Sequence, residues 1–275
     1  MRSQRSTSST PPRRAPRLPW GDVLDALALG TWSAMLFRYW FGGKLLLLLH
    51  PDYAWLSNTA AIAIAFLATH KLVKIVRELQ SRRATTRTAR PGDGGHVTLL
   101  PPNLSSALLL GIAVFGLIYT PRAFASETAV QRGISETLSL TRAQPQRFAR
   151  AAAPEDRTII DWIRLINVYP EPDAYEAETV DVSGFVIYPE NWPAGYLMVS
   201  RFVLTCCAAD AYPVGLPVKL PEGVNTAAAK DAYPVNSWLQ VSGEMVTETI
   251  DGRRQVAIAP TDIRPIEEPR NPYEY

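Results

Sequence analysis

The 275 residues carry 28 Lys and Arg against 26 Asp and Glu, a formal net charge of +2, and 47% of them are hydrophobic. That length and apolar content provide a core without metal or disulfide staples and exclude a wholly disordered chain. The two cysteines, adjacent at Cys206 and Cys207, exclude a disulfide framework. The near-neutral total gives no reason to expect a nucleic-acid partner, yet it averages two unlike halves: residues 1–102 sum to +9 and residues 103–275 to −7.

Residues 1–21, rich in Ser, Arg and Pro, read as a disordered basic tail. Residues 22–120 then hold three apolar stretches. The first runs from Val23 to Leu49, broken by Asp25, Arg38 and Lys44. A helix from Asp22 to Phe41 is expected, with Arg38 snorkelling near its end and Trp32, Tyr39 and Trp40 as an aromatic belt. Leu45–Leu49 then forms a tail in the outer interface before His50-Pro51. The second stretch, Tyr53–His70, is charge-free, as is the third, Gly94–Pro121, whose dense part is Leu104–Tyr119. A bilayer is crossed by about 20 apolar residues in a helix. Three such segments within 120 residues predict three transmembrane helices rather than three core helices of a soluble domain.

Basic residues set the expected orientation. Arg2, Arg5, Arg13, Arg14 and Arg17 precede the first helix, and the loop 71–102 carries Lys71, Lys74, Arg77, Arg82, Arg83, Arg87 and Arg90. Cytoplasmic segments accumulate such charge. The expectation is a multi-pass protein of the bacterial plasma membrane with a cytoplasmic amino terminus and everything after Tyr119 outside. Ala123-Phe124-Ala125, before Ser126, has the small-x-small form of a signal-peptidase site, but its internal position favours a retained anchor.

Residues 121–155 read as an external stalk, and Pro154-Glu155-Asp156 as the opening of an amphipathic helix with Ile159, Ile160, Ile163 and Ile166 at helical spacing. From Thr179 the period becomes two. Strands are predicted over 179–188, 196–207 and 216–220, a short helix within 224–233, and strands over 237–250 and 253–263. Asp251-Gly252 supplies the last hairpin turn. Three strands, a helix and two strands is the order of an OB-like five-stranded barrel. Val182-Ser183-Gly184 and Val241-Ser242-Gly243 place a glycine where a curled strand bends. The fold class is therefore three transmembrane α-helices followed by an all-β, OB-like domain at 156–275 with short helices; a small antiparallel sandwich is the alternative.

No Ser-His-Asp set is available, because residues 121–275 contain no histidine, and no Gly-rich phosphate loop occurs. No enzyme activity is expected. The distinctive run is Arg201-Phe202-Val203-Leu204-Thr205-Cys206-Cys207-Ala208-Ala209-Asp210-Ala211. Neighbours in a strand face opposite ways, so the two thiols act together only if the strand ends or bulges there. Three readings stay open: packed passive thiols, a vicinal disulfide formed outside the cytosol, or ligation of zinc, copper(I) or a metalloid by Cys206 and Cys207 with Asp210 as oxygen donor. Asp161 on the amphipathic helix is a further candidate, with a helix-surface role as its ordinary alternative. Tyr188, Trp192, Tyr196, Tyr212 and Trp238 fit either a binding face or core packing.

Gly43-Lys44 followed by His50-Pro51, Asp161-Trp162-Ile163-Arg164-Leu165-Ile166, Val182–Val186, and above all Arg201-Phe202 with Cys206-Cys207-Ala208-Ala209-Asp210-Ala211 carry a resemblance. Over most of residues 23–265 the chain resembles a bacterial family of subunits of a two-component membrane permease complex. The resemblance implies a polytopic permease partner similar to arsenical-type permeases, singles out Arg201 with the cysteines, and by association favours a soft metal or metalloid. The expected function is a non-enzymatic accessory subunit embedded in the bilayer. An anchored external binding or assembly module with structural cysteines is the alternative, and a thiol redox protein the third reading.

Overall fold

The computed structural model describes residues 20–84, 102–133, 153–221, 223 and 226–275. Residues 1–19 of the expected 1–21 tail, the later part of the basic loop and most of the stalk lie outside the described residues, while Trp20 and Gly21 open the first helix. Two compact units emerge: Met1–Arg38 with Leu56–Thr120, and Tyr39–Trp55 with Pro121–Tyr275.

The first unit is helical. Helix α1 spans Trp20–Phe41, α2 spans Pro51–Ala84 and α3 spans Pro102–Ile118. Proline opens both α2 and α3, where its missing N–H costs no bond. Among the described residues one helix is long and apolar enough to cross a membrane, over Pro51–Ser81, while the apolar run of α3 is the shorter Asn103–Ile118. The second helix is longer than the charge-free stretch Tyr53–His70, because it continues through Lys71 into the residues assigned to the loop. Polar side chains tie the helices together. Trp32 Nε1 donates to the Leu109 carbonyl at 2.9 Å and Ser33 Oγ to the Ala61 carbonyl at 3.1 Å. Lys71 from α2 and Ser106 from α3 both donate to the Asp25 carboxylate on α1. Outside these links the unit exposes Leu56, Ile62, Phe66, Leu108, Ile112 and Phe115.

The second unit holds a closed mixed barrel of five strands: β1 (Thr179–Ile187), β2 (Tyr196–Val203), β3 (Tyr212–Lys219), β4 (Trp238–Ile250) and β5 (Arg253–Ile266). β1 pairs with both β2 and β4, β4 with β5, and β2 with β3, all antiparallel. A parallel bridge, Val218 to Ile258, closes the ring between β3 and β5. This is the OB-like arrangement expected from the strand order. A two-residue strand β6, Tyr273–Glu274, adds parallel to β2.

Differences from expectation have local causes. β3 begins four residues early and contains Pro213 and Pro217. Spaced four apart, both direct their missing N–H to the same side, and the single bridge to β5 leaves that side almost without a ladder. The helix expected from Pro154 starts instead at Ile159. Pro154–Asp156 is a separate 3-10 turn, and Thr158 caps helix α5 (Ile159–Val168). Ile159, Ile160, Trp162 and Ile163 then enter the barrel core with Val182, Leu239 and Met245. Short helices α4 (Ser126–Gln131) and α6 (Thr226–Ala232) complete the unit.

A second apolar cluster covers the outer side of β1 and β2, joining Phe185, Met198, Phe202 and Tyr273 to Leu47 and Ala129. Phe124 packs on it too, with its ring 5.2 Å from Phe202. Residues 121–133 fall in the barrel unit. Lys44–Leu47 forms a 3-10 turn whose Leu45 and Leu47 are buried. Each buried leucine contributes about 1.5–3 kcal/mol against leaving it exposed, so this strap is held by its apolar side chains.

Candidate functional site

The expected condition for joint action of the thiols is met. β2 ends at Val203, and the chain bends at Thr205 and Cys206 before a 3-10 turn at Ala208–Asp210. Asp210 causes the bend. Its carboxylate accepts from the backbone N–H of Cys206 at 2.8 Å, of Cys207 at 3.3 Å and of Thr205 at 3.4 Å, and from the Thr205 hydroxyl. Three consecutive N–H groups turned onto one carboxylate cannot also continue a ladder. The strand expected to reach Cys207 therefore stops short.

The strap closes the other side of the loop. The His50 N–H donates to the Cys206 carbonyl at 3.1 Å, and the Ala208 N–H donates to the Leu48 carbonyl at 2.8 Å. Leu49 and Cys207 form an antiparallel bridge. Two motifs about 155 residues apart in sequence thus meet in one small backbone ladder. The His50 ring stands edge-on to Tyr275, centroids 4.6 Å apart, and its Nδ1 accepts from the Asp52 N–H at 3.1 Å. Histidine was absent from the expected external domain; the strap brings one beside the thiol loop, and no local sequence signal announces it.

The sulfurs of Cys206 and Cys207 lie 3.6 Å apart, and both with an Asp210 oxygen fall within 4.8 Å of one another. Cys206 is exposed and Cys207 half-buried. Both are free thiols, and a disulfide at about 2.05 Å would require the sulfurs to close by roughly 1.5 Å. Hydrogen bonding to Asp210, then to Cys207, pushes the Cys206 thiol up to about 12. Burial alone would raise Asp210, but the hydrogen bonds from Thr205 and Cys206 outweigh it and hold the carboxyl below its ordinary value. At neutral pH the site is thus a carboxylate beside a protonated Cys206 thiol. A cation that binds the sulfurs must displace protons.

Asp161 and Arg201 belong elsewhere. The Asp161 side chain accepts from the Thr158 N–H at 3.1 Å while Thr158 caps the Asp161 N–H, a reciprocal capping box at the start of α5. Arg201 lies 5.2 Å over the Trp238 ring and pairs at 3.5 Å with Glu274. Glu274 also accepts from the Ile160 N–H at 2.6 Å. Burial raises the Glu274 carboxyl above its ordinary value, against the pull of the Ile160 N–H and Arg201. This ion pair joins β2, β6 and the first turn of α5. Glu274 escaped sequence reasoning because a lone acid in a polar tail carries no pattern.

The aromatic candidates are mostly committed to packing. Tyr188 donates its hydroxyl to the Tyr233 carbonyl at 2.9 Å, Tyr196 donates to Glu248 at 2.9 Å, and Trp192 and Trp238 belong to the outer apolar cluster. The site with free chemical capacity is the thiol loop.

No curated protein matches the chain. Residues 155–275, from the turn before α5 through β6, match the DUF1980 C-terminal domain.

Proposed function

We propose that the chain is a membrane-anchored, non-enzymatic accessory subunit of a polytopic permease, presenting its OB-like barrel outside the cytoplasm, with the Cys206-Cys207 loop as the point where a soft metal ion meets the complex. The observation that carries the reading is the grouping of two thiols and a carboxylate on a loop already shaped by Asp210 and stitched to the strap. An exposed Cys206 favours chemical use over the structural role that buried cysteines fill.

The strap also supports the membrane arrangement. A folded unit lies on one side of a bilayer, and residues on both sides of α2 and α3 belong to the barrel unit. If the chain between spans the bilayer, it crosses an even number of times, as one crossing each by α2 and α3 would. α1 makes the third crossing and puts the basic amino terminus on the opposite, cytoplasmic side. The 22 residues of α1 extend about 33 Å and the 17 of α3 about 26 Å, against a hydrocarbon core of about 30 Å. Asp25 near the start of α1, Lys71 in the second half of α2 and Ser106 near the start of α3 all fall toward the cytoplasmic end in that arrangement, matching their hydrogen bonds. Phe124 supports an uncleaved chain, because cutting after Ala125 would separate it from the cluster it packs in.

Affinity purification of the full chain from native membranes tests this function. A polytopic membrane protein is expected to copurify with wild type and with a Cys206→Ser/Cys207→Ser variant, since docking uses the helices. Recovery of envelope-assembly proteins without such a partner supports the binding-module alternative and overturns the permease assignment.

A further inference from the structure

Zinc bound between two thiolates has a preferred bite. Two sulfurs 3.6 Å apart, each about 2.3 Å from one ion, subtend about 103° there, close to the tetrahedral angle of about 109°. A linear two-coordinate ion with similar bonds needs its sulfurs about 4.6 Å apart and does not fit without opening the loop.

The donor count is the second observation. Among the described residues, the group around these sulfurs contains Cys206, Cys207 and Asp210 alone. Asp210 already receives three N–H groups and a hydroxyl, so its main work is to hold the turn. Structural zinc sites close four protein ligands around the ion, whereas sites that do chemistry keep a position open. Here at most three chain donors converge, and Cys206 faces solvent. The third observation is preorganisation. Backbone bonds to Leu48 and His50 fix the loop without metal, so the ion has no folding role.

We propose that Cys206 and Cys207 form a two-thiolate exchange site for a divalent d10 ion of the zinc type, with a coordination position kept for a donor from outside the chain. This rests on the reading of the thiol loop as the metal-handling element. Binding replaces two S–H bonds by two metal–sulfur bonds and releases two protons per ion, with no change of oxidation state. A partner carrying a thiol, imidazole or carboxylate takes the ion by filling the open position before either Cys206 or Cys207 lets go.

The test uses the reduced, detergent-solubilised full chain titrated with Zn²⁺ against a chromophoric chelator. Proton release is followed in weak buffer, and X-ray absorption reads the bound zinc. Expected are one zinc per chain, two sulfurs at about 2.3 Å completed by oxygen or nitrogen donors, and about two protons per ion. Cys206→Ser alone is expected to weaken binding at least about 100-fold, beyond what loss of an outer-shell partner costs. Excess chelator is expected to strip the ion from the folded chain. Zinc that binds the double serine variant equally well, or that is held by four sulfurs, overturns the exchange site. Copper(I) bound linearly to both sulfurs without zinc binding overturns it too, yet leaves the metal-handling reading standing. No thiophilic ion binding at all, or a Cys206–Cys207 bond that survives reductant, overturns both.

Discussion

Gly243→Ala is expected to unfold the barrel. A Cβ at this position would stand 2.2 Å from the Ala259 carbonyl oxygen and 2.8 Å from the Pro260 Cα, both of them main-chain atoms. The register of β4 against β5 shifts between Ser242 and Gly243, so the two backbones approach most closely where the barrel wall turns. A side chain can rotate away from an added methyl; a paired strand cannot move without giving up its ladder. The cost is expected to exceed the roughly 1–3 kcal/mol of ordinary overpacking. Gly184, whose Cβ would meet the Ser200 carbonyl oxygen at 2.5 Å, makes the equivalent contact between β1 and β2 and is expected to behave alike. Ser242→Ala is the control. It loses an exposed hydrogen bond to Asp181 and is expected to cost about 1 kcal/mol or less. Thermal unfolding of the solubilised chain, followed by near-ultraviolet circular dichroism, separates the two classes.

Glu274→Ala is the second large effect. Glu274 is 6% exposed and its partner Arg201 14%. Alanine leaves the guanidinium without its carboxylate and the Ile160 N–H without its acceptor, and removing one member of a buried pair costs about 3–5 kcal/mol. Glu274→Gln keeps an acceptor oxygen and is expected to cost less. Its diagnostic value lies in pH. The Glu274 carboxyl is raised in the folded state, so the native chain holds this proton more tightly than the unfolded chain does. The stability it contributes is fully present below the ordinary value of 4.5 and is lost as pH rises through the folded value. Glutamine is expected to remove that decline, so the wild-type-minus-variant difference falls with pH across this window. A flat difference would show that Arg201 keeps the carboxyl ionised throughout.

The barrel was legible because period-two strands, a helix between the third and fourth, and the Asp251-Gly252 turn each leave a local mark. The Gly184 and Gly243 positions were legible for the same reason: a glycine inside an alternating run marks a bend. What lay beyond sequence was nonlocal. Leu45–Leu49 has the composition of a membrane-interface segment, and only the tertiary fold sets Leu47 against Met198 and Phe202. The ladder between His50 and Cys206 joins backbone atoms, whose partners composition cannot specify. Residue type alone makes Asp210 a candidate metal donor, whereas its position three residues after Cys207 makes it first the cap that ends the strand. Asp161 was ambiguous between site and surface until Thr158, three residues before it, completed a capping box.

In the proposed arrangement the thiol loop faces the outside of the cell, and the chain carries its own reporter, because Cys206 and Cys207 are its only cysteines. Intact cells expressing the full chain can be treated with a membrane-impermeant maleimide. Long exposure at mildly alkaline pH offsets the raised Cys206 thiol. Labelling in intact cells is expected to equal that after lysis, with none in the Cys206→Ser/Cys207→Ser variant. Labelling that appears only after lysis places the barrel and its strap in the cytoplasm and contradicts that arrangement.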